Sequence, residues 1–166
     1  MESDSKNATS LAIRDPRVEL WRDPDWQRLW LSMQARQWRS LGLVPAAKGA
    51  PADFTLRIAV TLARTGMVHL GGPVQVADAT KVPLTYLASF MDEVRHITRD
   101  GELILVALAP IAENPMTVSI AQALDASLLC VLLEHMATGQ AKQTVNQVGA
   151  SRFVGQAMFH RYDAVR

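Results

Sequence analysis

Two nearly continuous apolar runs constrain this chain more than any other feature. "LILVALA", Leu103–Ala109, and "ASLLCVLL", Ala126–Leu133, are each the length of one strand and are almost wholly apolar. A strand that is apolar throughout is buried on both faces, a situation met in parallel sheets covered by helices. Neither run approaches the ~20 residues needed to cross a bilayer as a helix. They therefore point to the interior of a layered α/β domain.

The segments between and before these runs fit that frame. Asp23 can cap a helix with Pro24 at its first position. Trp26, Leu29, Trp30, Met33 and Trp38 follow at roughly helical spacing, which predicts a helix to about Arg39. Leu41–Pro45 reads as a short strand. A helix begins at Asp53 or Thr55 and runs to Thr65, with Gly66 as its C-terminal cap. Pro73–Asp78 reads as a strand, and Pro83–Thr98 as a helix with Leu84, Leu87, Phe90, Met91 and Val94 on one face. Glu102–Ala109 is the next strand, Thr117–Leu124 a short helix, Ala126–Leu133 a strand, Thr138–Val148 a helix stopped by Gly149, and Arg152–Phe159 a last strand. Alternating β and α units of this length specify a doubly wound layered fold. Residues 1–18 are polar and lack periodicity, so they read as a flexible N-terminal arm, with 19–166 as a single domain.

Composition narrows the function classes. With 17 basic and 16 acidic residues the net charge is +1, which lacks the strongly basic face expected of a nucleic-acid binder. The single cysteine, Cys130, excludes an internal disulfide and a multi-cysteine zinc site, and within an apolar strand it reads as a core residue. His69, His96, His135 and His160 fall on different elements without ligand spacing, so no metal site is expected. The N-terminus, MESDSKNATS, lacks the apolar centre of a signal peptide. A cytoplasmic protein is the expectation. Four tryptophans within 18 residues are more than one helix face hides easily. Trp30 and Trp38 read as core, and Trp21 and Trp26 as candidates for a partner or oligomer interface.

"LARTG…PVQVADA", then "ELILVALAP", "NPMTVSIAQALDASLLCVLL" and "TVNQVGASRFVGQAMF" together resemble the deviant-Walker P-loop ATPases. Within them the chain is most similar to the cytoplasmic tyrosine-autokinase domain of bacterial polysaccharide synthesis and export, over roughly residues 40–160. The resemblance implies a P-loop NTPase-like, three-layer α/β/α fold around a mainly parallel five-stranded sheet. It also implies a nucleotide site, whose parts can be sought one by one. A P-loop reads G-x-x-x-x-G-K-[ST], where backbone amides and the lysine hold phosphate and the hydroxyl holds Mg²⁺. Counted back from Gly66, the Gly-Lys-Ser/Thr positions fall on Ala50, Pro51 and Ala52. Lys48 and Gly49 lie nearby but out of register. Asp78 matches the first aspartate of the family's Val-Asp-x-Asp strand end, and Thr80 stands at the second. The metal-organising aspartate of the Asp-x-Pro-Pro strand falls on Ala107, with Pro110 retained; Asp125 matches an aspartate whose role in the family is mainly structural. The tyrosine-rich tail of the autokinases is reduced to Tyr162.

Loss of the lysine and of the carboxylate removes the charge neutralisation on which phosphoryl transfer rests. The expectation is a non-catalytic, partner-binding relative with no catalytic residue and no cofactor. Lys48, Gly49, Pro51, Asp78 and Ala107 would be vestigial site positions. The partner implied is a protein, such as a membrane polysaccharide co-polymerase, which would place the chain at the inner membrane; a homodimer is a further expectation. The alternative is a nucleotide sensor or ATPase with an atypical loop, holding ATP and Mg²⁺ through Lys48, Asp78 and Asn114. A Rossmann dehydrogenase is disfavoured because G-x-G-x-x-G does not follow the first strand.

Overall fold

The computed structural model describes residues 10–13, 22–133 and 138–161. Its strands are β1 (Ser10–Ile13), β2 (Ser40–Pro45), β3 (Val74–Asp78), β4 (Leu103–Ala107), β5 (Ala126–Leu132) and β6 (Phe153–Arg161). Its helices are α1 (Pro24–Met33), α2 (Phe54–Leu70), α3 (Leu87–Arg99), α4 (Met116–Ala123) and α5 (Thr138–Val148). All neighbouring strands are parallel, in the order β1-β6-β5-β2-β4-β3. The five expected strands are all present. A sixth, β1, comes from the stretch read as a flexible arm: Ser10–Ile13 pairs with Met158–Arg161 of β6. The remainder of residues 1–18, and Trp21, lie outside the described residues.

Side-chain alternation sorts the core into two layers. Leu41 and Leu43 of β2, Leu105 and Ala107 of β4, and Leu128 and Cys130 of β5 face α1 and α2. Val44, Ile104, Val106 and Leu108 face the opposite way, toward α3 and α4, and Leu129 and Val131 pack on α5. The result is the expected three-layer α/β/α arrangement. β2 and β5 are buried along their whole lengths, as their apolar sequences require. Burial pushes the Cys130 thiol up, well above its ordinary range, because a thiolate has nothing to solvate it there.

The α1–α2 pair departs from expectation in three ways. Asp23 caps α1 as read, its carboxylate accepting from the Asp25 amide at 2.9 Å. The helix nevertheless ends at Met33, and Trp38 sits beyond it, its indole N–H donating to the Met33 carbonyl at 3.0 Å. Trp26, read as an interface residue, is 1% exposed. Trp26 and Trp30 are separated by four positions, so they share one helix face; Trp26 meets Phe159 at a tilt and Trp30 meets Trp38 edge-on. Gly66 is not a cap. It lies inside α2 beneath the Trp30 ring, where an added Cβ would come within 2.4 Å of the indole. The cap is Gly71, whose φ of 70° is the left-handed conformation that glycine accepts without strain.

Candidate functional site

In open α/β sheets, ligands settle in the crevice beyond the carboxyl ends of the strands. Here that edge is formed by the loops following β2, β3 and β4. The loop from Ala46 to Asp53 connects β2 to α2, the position a P-loop would occupy. Its backbone is turned inward at several points. Ala46 donates to Cys130 O, Lys48 donates to the Gln140 side chain at 3.1 Å, and Phe54 donates to Pro51 O. Pro51 has no amide hydrogen. These three amides are already bonded within the protein, whereas an anion nest holds its amides free for the ligand. Gly49 keeps the positive φ (91°) of a tight turn.

The start of α2 is equally ill suited to an anion. The Asp53 carboxylate stands at its N-cap, 4.0 Å from the Arg57 side chain, so a negative charge already occupies the positive end of the helix dipole. Thr55 is the first hydroxyl of the helix. It is 2% exposed and donates to the Leu108 carbonyl at 2.8 Å, which removes it from the reach of a metal ion.

The residues singled out from the sequence fall into two clefts and a strand edge. Lys48 lines a cleft of about 260 Å³ with Pro45, Pro110 and the α5 side chains Gln140, Gln143 and Gln147. Pro51 lines a second cleft of about 210 Å³ with Thr55, Lys81 and Glu113. Asp78 and Ala107 line neither; they are register partners across β3 and β4. Ala107 is fully buried and offers only its carbonyl, which accepts from Ala79 at 2.8 Å. Asp78 is exposed and accepts from the Thr80 amide and hydroxyl at 3.0 and 2.6 Å, a local turn of the kind aspartate forms after a strand. Asn114 donates to Thr80 O and Val82 O and accepts from the Met116 amide at 3.0 Å. It ties the β3–α3 loop to the start of α4. Asp125 accepts from the backbone of Arg39 and Ser40 while its own amide donates to the Ser40 hydroxyl, the structural role the resemblance implied.

Thus Lys48, Asp78 and Asn114 do not converge on one point. Lys81 and Glu113 do enter the Pro51 cleft, and sequence reasoning missed both. No motif marks them; loop geometry alone brings them there. The three glutamines of α5 were legible in principle, since positions 140, 143 and 147 share a helix face. Among the described residues, no group of three or more His, Cys, Asp or Glu side chains is arranged to hold a metal ion.

No family model matches the chain, and no curated protein sequence matches it. Solved structures do. The chimerical protein CapA2B2 superposes with a TM-score of 0.65 over 97% of this chain and 98% of its own, at 10% identity. The BceF tyrosine kinase domain superposes with a TM-score of 0.62 over 96% of this chain and 86% of its own, at 11% identity. The chain therefore has a P-loop NTPase-like α/β fold. The resemblance to tyrosine-kinase domains, read from the cadence of apolar positions, holds at the level of fold. No described helix is long and apolar enough to cross a membrane.

Proposed function

We propose that this protein is a non-catalytic relative of the P-loop tyrosine kinases that works by binding a protein partner, in bacterial polysaccharide synthesis or export. One observation carries the reading. The loop at the head of α2 presents Ala50, Pro51 and Ala52 and spends the Ala46, Lys48 and Phe54 amides on internal bonds, and the end of β4 carries a buried Ala107. Neither the loop nor that strand end supplies the lysine charge or the metal-organising carboxylate by which such sites lower the barrier to phosphoryl transfer; the Lys81 and Glu113 that enter the Pro51 cleft come from other loops. The polysaccharide setting is supported by the sequence resemblance and by the likeness of fold to a tyrosine kinase domain. The partner we favour is a membrane polysaccharide co-polymerase or a related synthesis protein.

Titration calorimetry of the purified chain with ATP and ADP, with and without Mg²⁺, tests this reading. The expected result is no heat of binding at micromolar nucleotide and no phosphate release. Micromolar affinity that is lost in Lys81→Ala would refute it and establish a nucleotide sensor built on the Pro51 cleft.

A further inference from the structure

Two side chains of opposite charge line the Pro51 cleft without pairing. Lys81 belongs to the loop between β3 and α3, and Glu113 to the loop between β4 and α4. Among the described residues neither side chain has a hydrogen-bond or ion-pair partner, and the two do not meet each other. Elsewhere on this surface opposite charges do meet: Arg28 with Asp25 at 2.7 Å, and Arg95 with Asp92 at 2.6 Å.

The two loops are tied together at the residues that carry these charges. Asn114, next to Glu113, donates to Thr80 O at 3.3 Å and to Val82 O at 3.4 Å, and residues 80 and 82 flank Lys81. The Asn114 side-chain oxygen is held in turn by the Met116 amide at 3.0 Å, and the Glu113 amide donates to Pro110 O at 2.9 Å. One clamp therefore fixes both backbone positions from which the charges project. A site ordered before its ligand arrives spares the complex the cost of ordering it. The remaining polar side chains of the cleft are spent: the Thr55 hydroxyl donates to Leu108 O and the Thr80 hydroxyl to Asp78. Pro45, Pro51, Phe54, Leu108 and Pro110 supply apolar wall.

A base and an acid held apart in an apolar cleft suit an occupant that carries both opposite charges itself. The phosphates of a nucleotide would meet Lys81 but also Glu113, and a like charge placed against a ligand selects against it. At about 210 Å³ the cleft also falls below the roughly 300–1,000 Å³ of sites for drug-sized ligands. A simple anion would leave Glu113 and the apolar walls unused. A small zwitterion with an apolar body uses every part. We propose that the Pro51 cleft binds a free α-amino acid with an aliphatic side chain, its carboxylate on Lys81, its ammonium on Glu113, and its side chain against Pro51, Phe54 and Pro110. This gives the cleft a ligand of its own, and it rests on the reading that the cleft takes no nucleotide.

Titration calorimetry of the full chain with L-leucine and L-valine tests it, with leucinamide and N-acetyl-leucine as derivatives that each lack one charge. The free amino acids should bind, and each blocked derivative should bind about 10–100-fold more weakly. Lys81→Ala and Glu113→Gln should lose a similar factor for L-leucine. Both positions are exposed, so circular dichroism should show unchanged folding. Lys142→Ala, an exposed change on α5 outside the cleft, should bind as the parent does. No heat from either amino acid up to about 10 mM overturns the proposal, as does equal binding by a blocked derivative or by either cleft variant. Inorganic phosphate that binds through Lys81 while L-leucine does not would make the cleft an anion site and equally overturns it. ATP in the same titration keeps the two readings apart. ATP binding that is lost in Lys81→Ala refutes both, whereas silence from ATP and from the amino acids overturns this inference alone.

Discussion

Gly66→Ala sets two effects of known size against each other. Alanine is favoured over glycine inside a helix by about 1 kcal/mol, and Gly66 lies well within α2. On propensity alone the variant should be more stable. The new methyl, however, would stand 2.4, 2.6 and 2.8 Å from three atoms of the Trp30 ring. Trp30 is 1% exposed and packs edge-on to Trp38, so its rigid ring can give way only by disturbing that packing. Overpacking of this kind costs roughly 1–3 kcal/mol, and contacts this short belong at the upper end. The net expectation is a loss of about 1–2 kcal/mol, or roughly 2–8 °C in Tm for a chain of this size. Urea unfolding followed by tryptophan fluorescence reads it as a lower midpoint with an unchanged slope. A Gly66→Ala protein as stable as the parent, or more stable, would refute the packing argument and return Gly66 to an ordinary helix position. In the background of Trp30→Leu, the same substitution should turn neutral or stabilising, and that coupling separates packing from propensity.

Three further outcomes follow from the same geometry. Thr55→Val leaves the Leu108 carbonyl without its hydroxyl partner and should cost about 1–3 kcal/mol by denaturant unfolding. Asp125→Ala removes the one carboxylate oxygen that accepts from both the Arg39 and Ser40 amides at the start of β2; because the side chain is largely exposed, a loss of only about 1–2 kcal/mol is expected, and a loss near zero would show that the anchor is redundant. The Cys130 thiol is raised by burial, so the folded state keeps its proton where the unfolded state has lost it. Stability should be unaffected below about pH 8.5 and should decline above it by up to about 1.4 kcal/mol per pH unit. Cys130→Ala should lack that component of the decline, and Ellman's reagent should label native Cys130 only at the rate of unfolding.

What could be read in advance depended on how local the cause was. β5 and β4 were legible because burial on both faces writes itself into consecutive residues. Asp23–Pro24 was legible because a cap is a matter of three or four neighbours. Trp26 was misjudged because its partner, Phe159, lies 133 positions away in sequence, and because the helix stops at Met33 and leaves Trp38 to a separate segment. Gly66 was misjudged for the same kind of reason: a glycine after an apolar helical stretch looks like a cap until Trp30 is placed over it. Ser10–Ile13 is too short a run to declare itself, and only pairing with β6 makes it a strand. At the site, the sequence alone shows that Pro51 offers no amide hydrogen and Ala107 no side-chain oxygen. The arrival of Lys81 and Glu113 beside Pro51 was not legible, since it depends on two loops meeting.

The position of β2 has a consequence for how the chain comes into being. This strand, buried at every residue, pairs on one side with β4 and on the other with β5, so that Leu41 sits opposite Leu105 and Ala126. At about 5–20 residues per second of synthesis, its second neighbour is made roughly 4–17 s after it. For that interval this largely apolar strand lacks its partner on the β5 side, and until β4 is made it lacks a partner on both sides. Closing so long a loop around it is also slow once the partner exists. Newborn chains should therefore be vulnerable to aggregation, and dependent on chaperones, until β5 is complete.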